Sequence, residues 1–448
     1  MKLDFLFKNA DVLTMDDERR IITGGFVGVC GGMIDYVGEY KPDGAAARVI
    51  DCAGRILMPG LVNAHAHTAM CVMRGYADDY NLQHWLHDKV LPAEARLNQR
   101  AVAAGARLGF AEMLRTGTTS LSDMYFFEAE VAEAALDAGI RASLSNGIVA
   151  FDPDASSFKH DRSVKETFEL IERYHGAGRG RIRCDASIHG EYTSTPKARR
   201  FMTEIALKYD LNMHVHLSET RAEHQGCVMR ANKTPARLFY DEGVFDAPTL
   251  AAHCVWVTPG DMELMAEKGV TAVHCPVSNL KLASGIAPVS RLKESGVRIA
   301  LGTDGCCSNN THDLFEEIKL TALLAKGVSA NPTALNAYDA LFMATRGGAQ
   351  AQGRGAEIGC IRPGMEADMI LIDASSPKLR PVYDIMGALA YAANGSDVCL
   401  TMVQGRILYE NGRFYTIDVE KAIREVENLA VPLVLGNGVK TPLNGNDI

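Results

Sequence analysis

The segment MPGLVNAHAH, residues 58–67, decides the fold, because an apolar strand opens after Pro-Gly and ends directly on two histidines. His65 and His67 are two residues apart, so on a strand both imidazoles point to the same side. Two surface histidines would show the same spacing. The apolar run before them favours instead a buried strand whose histidines share one ion.

Beyond this segment, residues 58 to 356 alternate short β-rich runs with helical stretches such as 100–115 and 201–209. This alternation indicates a parallel sheet or barrel. Eight candidate strands can be counted, at residues 60–67, 118–123, 141–146, 182–189, 212–217, 249–253, 271–274 and 297–304. Eight parallel strands, each followed by a helix, make up a (β/α)₈ barrel.

These predicted strands end on side chains that are costly to bury, namely His65 and His67, Asp123, Asn146, His189, His216, His253, His274 and Asp304. Together with His214, seven of the 13 histidines lie at or near strand ends. The carboxyl ends of barrel strands form the active-site face. Because buried His and Asp need a partner or a metal, this ring predicts a functional site.

Both ends of the chain are rich in short β runs, at residues 11–15, 25–29 and 33–37 and again at 367–373 and 398–403. We expect them to pair into one small domain. The predicted class is therefore α/β: a (β/α)₈ barrel, residues 58–356, inserted into a β-sandwich built from residues 1–57 and 357–448.

Composition excludes several other classes. The chain has 448 residues, 46 basic and 55 acidic side chains and a net charge of −9, which is unsuited to phosphate-rich partners such as nucleic acids. No apolar run approaches the roughly 20 residues that span a bilayer. The N-terminus lacks the apolar region of a signal peptide, and the 11 cysteines form no CxxC pair. We therefore expect a cytoplasmic protein with reduced thiols and no membrane partner.

A carboxylate follows one of the strand-end histidines. His216 ends a strand and Glu219 lies three residues later, a layout expected for a metal ligand with a nearby proton-transfer group. His214 shares the strand face of His216, and a packed or hydrogen-bonded role suits it better than ligation.

Two further strand ends complete the candidate site. His253 and Asp304 each end a strand of small apolar residues. An isolated Asp-Gly is usually a turn, but a closed barrel places the eighth strand beside the first and so brings Asp304 near His65 and His67. Three imidazoles and one carboxylate suit a borderline cation such as zinc.

Five segments carry a family resemblance: PGLVNAHAHTAM (59–70), HVHLSET (214–220), AAHCVW (251–256), SNLKLASGIAPVSRL (278–292) and GTDGCCSNN (302–310). They resemble the amidohydrolase superfamily. Within it they are similar to the S-adenosylhomocysteine/5′-methylthioadenosine deaminases and to related aminohydrolases that include the triazine hydrolases. The resemblance runs over nearly the whole chain.

The resemblance implies one divalent metal ion, usually zinc and in some relatives iron, held by His65, His67, His216 and Asp304. The strand 182–189 contains no lysine, so a mononuclear site is implied. Asp304 would accept the proton of a metal-activated water, and His253 would orient that water and stabilise the developing charge. Glu219 would protonate the purine ring nitrogen and then help ammonia leave.

Residues 82–97 resemble the insert that follows strand one in adenosine-type deaminases. There the Trp85 ring would pack on the purine or ribose, and Glu94 would accept hydrogen bonds from both ribose hydroxyls. His189 matches a position that contacts the purine–ribose region, and Ser308 one near the substrate. Without the resemblance, an amphipathic surface helix with Trp85 as packing would be preferred.

One position departs from the family pattern. Members that accept S-adenosylhomocysteine have an arginine at the end of strand three, where this chain has Asn146. Arg162 would be the second arginine of that pocket. Loss of a bidentate carboxylate partner makes adenosine, 5′-deoxyadenosine or 5′-methylthioadenosine at least as good a substrate.

The leading hypothesis is hydrolytic deamination of an adenosine-type nucleoside to its inosine analogue and ammonia. The alternative is an amino- or halo-hydrolase of another heterocycle, such as guanine, a pterin or a triazine. A non-catalytic assembly protein is a third reading, against which the complete ligand set argues. The expected partner is a small purine nucleoside, and barrel enzymes of this group are often homo-oligomers.

Overall fold

The structure, a computed structural model, describes residues 2–150 and 162–436. Residue 1 and residues 437–448, the outer limits of the two predicted end segments, lie outside the described residues. The described chain is α/β, as predicted. Its β structure falls into one large mixed sheet and two five-stranded parallel sheets.

The mixed sheet has nine strands and draws on both ends of the chain. Its central strands are joined across the sequence: residues 55–59 pair antiparallel with 369–373, and Asp11 and Val12 pair in parallel with Ile56 and Leu57. The pairing places both chain ends in one sheet, while their packing as a sandwich stays a prediction. The strands are β1 (Lys2–Leu13), β2 (Ile21–Cys30), β3 (Met33–Gly38), β4 (Ala45–Asp51), β5 (Arg55–Pro59), β16 (Met369–Asp373), β17 (Val398–Val403), β18 (Arg406–Glu410) and β19 (Arg413–Phe414).

The parallel strands coincide with the eight predicted segments. They are β6 (Leu61–His67), β7 (Thr118–Tyr125), β8 (Arg141–Asn146), β9 (Ile182–Cys184), β10 (Ala186–Ser187), β11 (Met213–Leu217), β12 (Thr249–His253), β13 (Thr271–His274), β14 (Arg298–Leu301) and β15 (Asp304–Gly305). Most of their residues are buried, as expected where helices cover a parallel sheet.

Two of the predicted strands are interrupted. Asp185 separates β9 from β10, and Gly302 and Thr303 separate β14 from β15. Each half pairs with a different neighbour: β9 with β8, β10 with β11, β14 with β13 and β15 with β6. The eight segments are therefore paired in chain order, and the eighth returns to the first, which is the pairing that a (β/α)₈ barrel requires.

Glycine is needed where the eighth segment meets the first. A Cβ on Gly302 would lie 2.8 Å from the Cβ and the carbonyl oxygen of His65. The backbone of residue 302 thus packs directly on the strand that carries His65 and His67. This close approach sets Asp304 opposite Ala66, between the two histidines in register.

At least one helix follows each parallel segment, and three of the helices begin with a Thr-Pro pair. At Thr195, Thr234 and Thr258 the hydroxyl accepts a backbone N–H of the first turn, and proline occupies the position where no N–H is needed. The helices are α1 (Leu82–His84), α2 (Leu91–Glu94), α3 (Gln99–Arg115), α4 (Glu128–Ala138), α5 (Arg162–Tyr174), α6 (Ala177–Gly180), α7 (Pro196–Tyr209), α8 (Arg221–Ala231), α9 (Pro235–Asp241), α10 (Pro259–Glu267), α11 (Pro276–Lys281), α12 (Val289–Glu294), α13 (Leu314–Ser329), α14 (Ala337–Phe342), α15 (Gly348–Ala351), α16 (Ile385–Tyr391), α17 (Val419–Glu425) and α18 (Val431–Leu435).

The amino ends of the parallel strands are tied to the mixed sheet by buried ion pairs. Arg141, the first residue of β8, is fully buried and donates to both oxygens of Asp368 at 2.6 and 3.0 Å, and also to Glu366. Nearby, Arg354 donates to the backbone carbonyls of Gly180 and Arg181, each at 2.8 Å.

None of the helices within residues 2–150 and 162–436 combines the length and apolar character needed to cross a membrane.

Candidate active site

Four of the predicted ligands converge at the carboxyl ends of the parallel strands. Their closest atoms are ring nitrogens and one carboxylate oxygen. His67 Nε2 lies 3.4 Å from His216 Nε2 and 3.2 Å from Asp304 Oδ1, and His65 Nε2 lies 3.4 Å from the same oxygen. Two ligands about 2.05 Å from a tetrahedral zinc ion are roughly 3.3 Å apart, so these separations match a shared cation.

The hydrogen bonds on the far side of the rings fix which nitrogens face this point. His216 Nδ1 donates to the carbonyl oxygen of His189 at 2.7 Å, and His67 Nδ1 donates to that of Met124. A carbonyl oxygen only accepts, so in the neutral rings the Nε2 atoms carry lone pairs that face each other. A cation between acceptors that converge in this way would satisfy them. The donor set, three imidazoles with one carboxylate, fits a zinc-like ion.

The pKa values indicate the same requirement for positive charge. Burial lowers the pKa of His65 to about 4 and holds that of His216 well below its usual value, which leaves both rings neutral and able to bind a metal. Burial also opposes charge on His67, yet the Asp304 carboxylate raises its pKa to about 9.

Only one carboxylate oxygen of Asp304 faces the point where the ligands converge. Ser278 and Ser308 both donate their hydroxyls to Oδ2, at 2.6 and 2.7 Å. Oδ1 is thereby left to face His65 and His67. Burial opposes ionisation of Asp304, but the two histidines hold its pKa well below the usual value, so the carboxylate stays charged.

Backbone strain occurs at the same strand ends. Ser218, His253 and Asp304 adopt left-handed conformations with φ of 48°, 73° and 61°. Such conformations are uncommon for residues other than glycine, and they persist where the surrounding structure enforces them. Here they turn the chain at the ends of three strands, where it delivers side chains to the site.

The predicted proton-transfer residues lie beside the point at which His65, His67, His216 and Asp304 converge, called the metal point below. His253 Nδ1 donates to Asn279 Oδ1 at 2.9 Å, so its Nε2 faces inward, 3.9 Å from Glu219 Oε2. Ser284 donates to Glu219 Oε1 at 3.1 Å. Burial raises the pKa of Glu219, although His253 opposes this, so near neutral pH the carboxyl group keeps its proton more readily than an exposed one.

A second buried carboxylate supports Glu219 and was not predicted from the sequence. Glu223 accepts the backbone N–H groups of Ser218 and Glu219 at 3.0 and 2.7 Å. The Thr220 hydroxyl in turn accepts the N–H of Glu223. The T-x-x-E spacing of a helix start is the signal that could have revealed this residue.

A cavity of about 500 Å³ opens above the metal point. Of the predicted residues, it is lined by His67, Trp85, Glu94, Arg162, His189, His216, Glu219, His253 and Asp304. The surrounding wall is mostly apolar and aromatic, the usual character of a small-molecule site. His65 lies beneath the cavity, where His214 Nε2 faces its Nδ1 at 2.9 Å, in line with the hydrogen-bonded role expected for His214.

Trp85 and Glu94 lie on one wall, on the insert between β6 and α3. The Trp85 indole N–H donates to the Cys307 carbonyl at 3.4 Å, and the side chain lines the cavity. Burial raises the pKa of Glu94 to about 7, and its neighbour Tyr125 works against this rise. Tyr125 was not predicted, although it follows the strand-end Asp123 by two residues.

At the outer end of the cavity, Arg162 lies 4.6 Å above the Phe127 ring and pairs with Glu166, Nε to Oε1, at 2.6 Å. Two predicted substrate residues are absent from the cavity lining. Asn146 is buried, and the adjacent Gly147 lines the cavity instead. Ser308 lies behind Asp304, which lines the cavity, and donates a hydrogen bond to it.

Parallel strands whose ends bring imidazoles and a carboxylate together beneath an apolar cavity are typical of metal-dependent hydrolases built on such sheets. The family model of the amidohydrolases matches residues 56–408. This chain belongs to the amidohydrolase family.

The most informative relatives are deaminases. A 5′-deoxyadenosine deaminase of Methanosarcina mazei is 44% identical over 431 residues, covering 96% of this chain and 98% of that protein. A 5-methylthioadenosine/S-adenosylhomocysteine deaminase of Acetivibrio thermocellus is 40% identical over 431 residues, 96% of this chain and 99% of that protein. The solved structure of a zinc-bound adenosine deaminase from Xanthomonas campestris aligns with a TM-score of 0.90 at 33% identity, covering 95% of this chain and 97% of that one.

Proposed function

We propose that this protein hydrolyses the exocyclic amino group of an adenosine-type nucleoside, giving the inosine analogue and ammonia. The observation that carries the proposal is the meeting of a cation point, the buried acid Glu219 and the Glu94 wall in one cavity. The relatives named above act on such nucleosides. The proposed architecture is a (β/α)₈ barrel, residues 58–356, within a β-sandwich of residues 1–57 and 357–448.

His65, His67, His216 and Asp304 would hold the cation, which we propose to be zinc, with iron as the alternative. When bound, a divalent cation lowers the pKa of a water molecule so that a nucleophile forms near neutral pH. Asp304, whose Oδ2 is held by the two serine hydroxyls, would accept the proton released as the nucleophile forms. His253, whose Nδ1 is held by Asn279, would use Nε2 to orient the water and to stabilise the charge that develops in the attack.

Glu219 supplies the complementary proton. Its raised pKa keeps a proton available in a buried carboxyl group, which then transfers to the ring nitrogen next to the attacked carbon. Ser284 holds one carboxyl oxygen, and Glu223 fixes the backbone beneath it. Protonation of the ring, followed by proton delivery to the amino group, lets ammonia leave.

Glu94 and Trp85 would recognise the nucleoside. An ionised Glu94 would accept hydrogen bonds from two vicinal ribose hydroxyls, whereas a free base would supply neither hydroxyl. The Trp85 ring would pack on the purine or ribose, and His189 would contact the same region. These contacts favour a nucleoside over guanine, a pterin or a triazine.

The outer end of the cavity bears on the 5′ substituent. Arg162 is already paired with Glu166, and Asn146 stands where relatives that accept S-adenosylhomocysteine have an arginine. A carboxylate tail would therefore find one occupied arginine rather than a clamp of two. We propose that 5′-deoxyadenosine, 5′-methylthioadenosine and adenosine are turned over at least as well as S-adenosylhomocysteine.

An ammonia-release screen tests the proposal with adenosine, its 5′-deoxy and 5′-methylthio analogues, S-adenosylhomocysteine, guanine and triazines. We expect turnover of nucleosides, and no turnover of any nucleoside would refute the proposal. Glu94→Ala should cripple nucleoside turnover while a free-base activity, if it were the true one, would largely survive. The cytoplasmic location and a homo-oligomeric state stay predictions.

The tail preference has its own test. Asn146 is buried behind the cavity wall beside Gly147, which lines the cavity. Asn146→Arg tests whether a longer side chain at this position reaches the tail: it should raise kcat/KM for S-adenosylhomocysteine relative to 5′-methylthioadenosine, because an arginine is a bidentate partner for the carboxylate. An equal ratio of the two substrates in wild type and variant would contradict this account of the 5′ end.

A further inference from the structure

The insert that carries Trp85 and Glu94 is a single helical segment, Leu82–Glu94. Its middle, Trp85–Val90, is π-helical, and α1 and α2 are its first and last turns. An isolated helix shorter than about 15 residues is only marginally stable in water. Two residues proposed to bind the nucleoside therefore depend on contacts outside the insert for their position.

The insert is anchored at both of its ends. On the inner side, the Trp85 indole donates to Cys307 in the loop that follows β15. On the outer side, Arg96 reaches the C-terminal helix, where Nε donates to the Leu433 carbonyl at 2.6 Å and Nη2 to that of Val434 at 2.5 Å. This outer contact joins residues more than 330 positions apart in sequence.

Arg96 meets α18 at the end where a cation is most favourable. The last carbonyls of a helix have no partner within it, and that end carries partial negative charge. Behind this contact, Val434 is buried in the same apolar core as Ala93 of α2. Helix α18 also contacts the turn Thr68–Met73, which directly follows His67.

We infer that Arg96 is a positioning residue, which clamps the insert to the C-terminal helix and so holds Glu94 and Trp85 in place for the nucleoside. The kinetic part of this inference rests on the proposed function. Arg96 touches neither the substrate cavity nor the metal point, so it acts through the insert. Its loss should weaken nucleoside binding and leave the chemical step unchanged.

The kinetic test compares Arg96→Leu with Arg96→Lys, which retains a donor. For 5′-deoxyadenosine we expect Arg96→Leu to raise KM about three- to tenfold, as for loss of a charge-assisted contact at a helix end, with kcat unchanged. The lysine variant should recover most of the affinity. An unchanged KM in Arg96→Leu, or a loss confined to kcat, would overturn the inference.

Arg107 provides the matched control. Its Nη1 lies 3.2 Å from Glu425 Oε2 and ties the same C-terminal segment to α3, away from the insert. Arg107→Leu should leave KM unchanged, and an effect equal to that of Arg96→Leu would mean that general loosening of the helix is the cause. In a Glu94→Ala background, Arg96→Leu should add little, since contacts that act as a unit are not additive.

A second readout needs no turnover. The chain has two tryptophans, so Trp256→Phe leaves Trp85 as the single reporter of the insert. In that background, Arg96→Leu should increase acrylamide quenching of Trp85, whereas unchanged quenching would count against the clamp. If quenching rises but no nucleoside is turned over, the clamp stands and the proposed function fails.

Discussion

The two ends of the parallel strands use the same kinds of charged side chain in opposite ways. At the amino ends, Arg141 is buried but bonded to Asp368 and Glu366, so cation and anions neutralise each other within the protein. At the carboxyl ends, His67, His216 and Asp304 instead turn acceptor atoms toward one shared point. Buried charges that neutralise each other serve stability, whereas buried acceptors that converge on one point indicate a candidate cation site.

The largest effect should come from the carboxyl ends. Asp304→Asn removes a proposed metal ligand and proton acceptor together, so kcat/KM should fall by about 10³-fold or more. Zinc content, measured after dialysis, should fall in the same variant. The variant should still fold, because Asp304 takes no part in the ion pairs of Arg141 with Asp368 and Glu366. Wild-type activity in a correctly folded Asp304→Asn protein would refute both assigned roles.

The amino ends should respond in the reverse sense. Arg141→Met leaves Asp368 buried without its cation, which costs roughly 3–5 kcal/mol of unfolding free energy. Urea unfolding should show this loss, while kcat/KM of the folded fraction remains near wild type. Arg173→Met removes an exposed ion pair instead and should leave the midpoint unchanged. Loss of activity without loss of stability in Arg141→Met would erase the contrast between the two ends.

The smallest effect concerns pH. The pKa of Glu94 is raised to about 7, chiefly by burial, so its carboxylate form is present above pH 7 and is lost as the pH falls. Because the carboxylate is the better acceptor of two ribose hydroxyls, KM should rise about tenfold between pH 8 and pH 6. Glu94→Gln should flatten this dependence. With 2′,3′-dideoxyadenosine, which lacks both hydroxyls, wild-type KM should not follow pH in this way.

The sequence predicted the parallel strands well because each is an apolar run that ends on a polar side chain, as in residues 58–67. It did not predict the breaks at Asp185 and Gly302. Each break lies where the first half of a segment pairs with one neighbouring strand and the second half pairs with the other. The nine-stranded pairing of both chain ends was foreseen only in outline.

The candidate site divides along a similar line. Metal and proton-transfer residues stand at strand ends and follow from local pattern and resemblance. Their supports do not: Ser278, Ser284 and Glu223 are defined by which atom they reach across the fold. The same holds for Asn146 and Ser308, whose distance from the cavity surface depends on packing that no spacing encodes.

The joint between β5 and β6 has a consequence for chain synthesis. Only Gly60 separates strand β5 of the mixed sheet from strand β6, which carries His65 and His67. The antiparallel partner of β5 is β16, whose residues 369–373 leave the ribosome some 310 residues later. The entropy of closing so long a loop must be lost before the pairing can stabilise the chain. Strand β5, at the start of β6, therefore stays without its antiparallel partner until late in translation. A nascent chain stalled before residue 369 should therefore bind metal weakly, although all four proposed ligands have already been made.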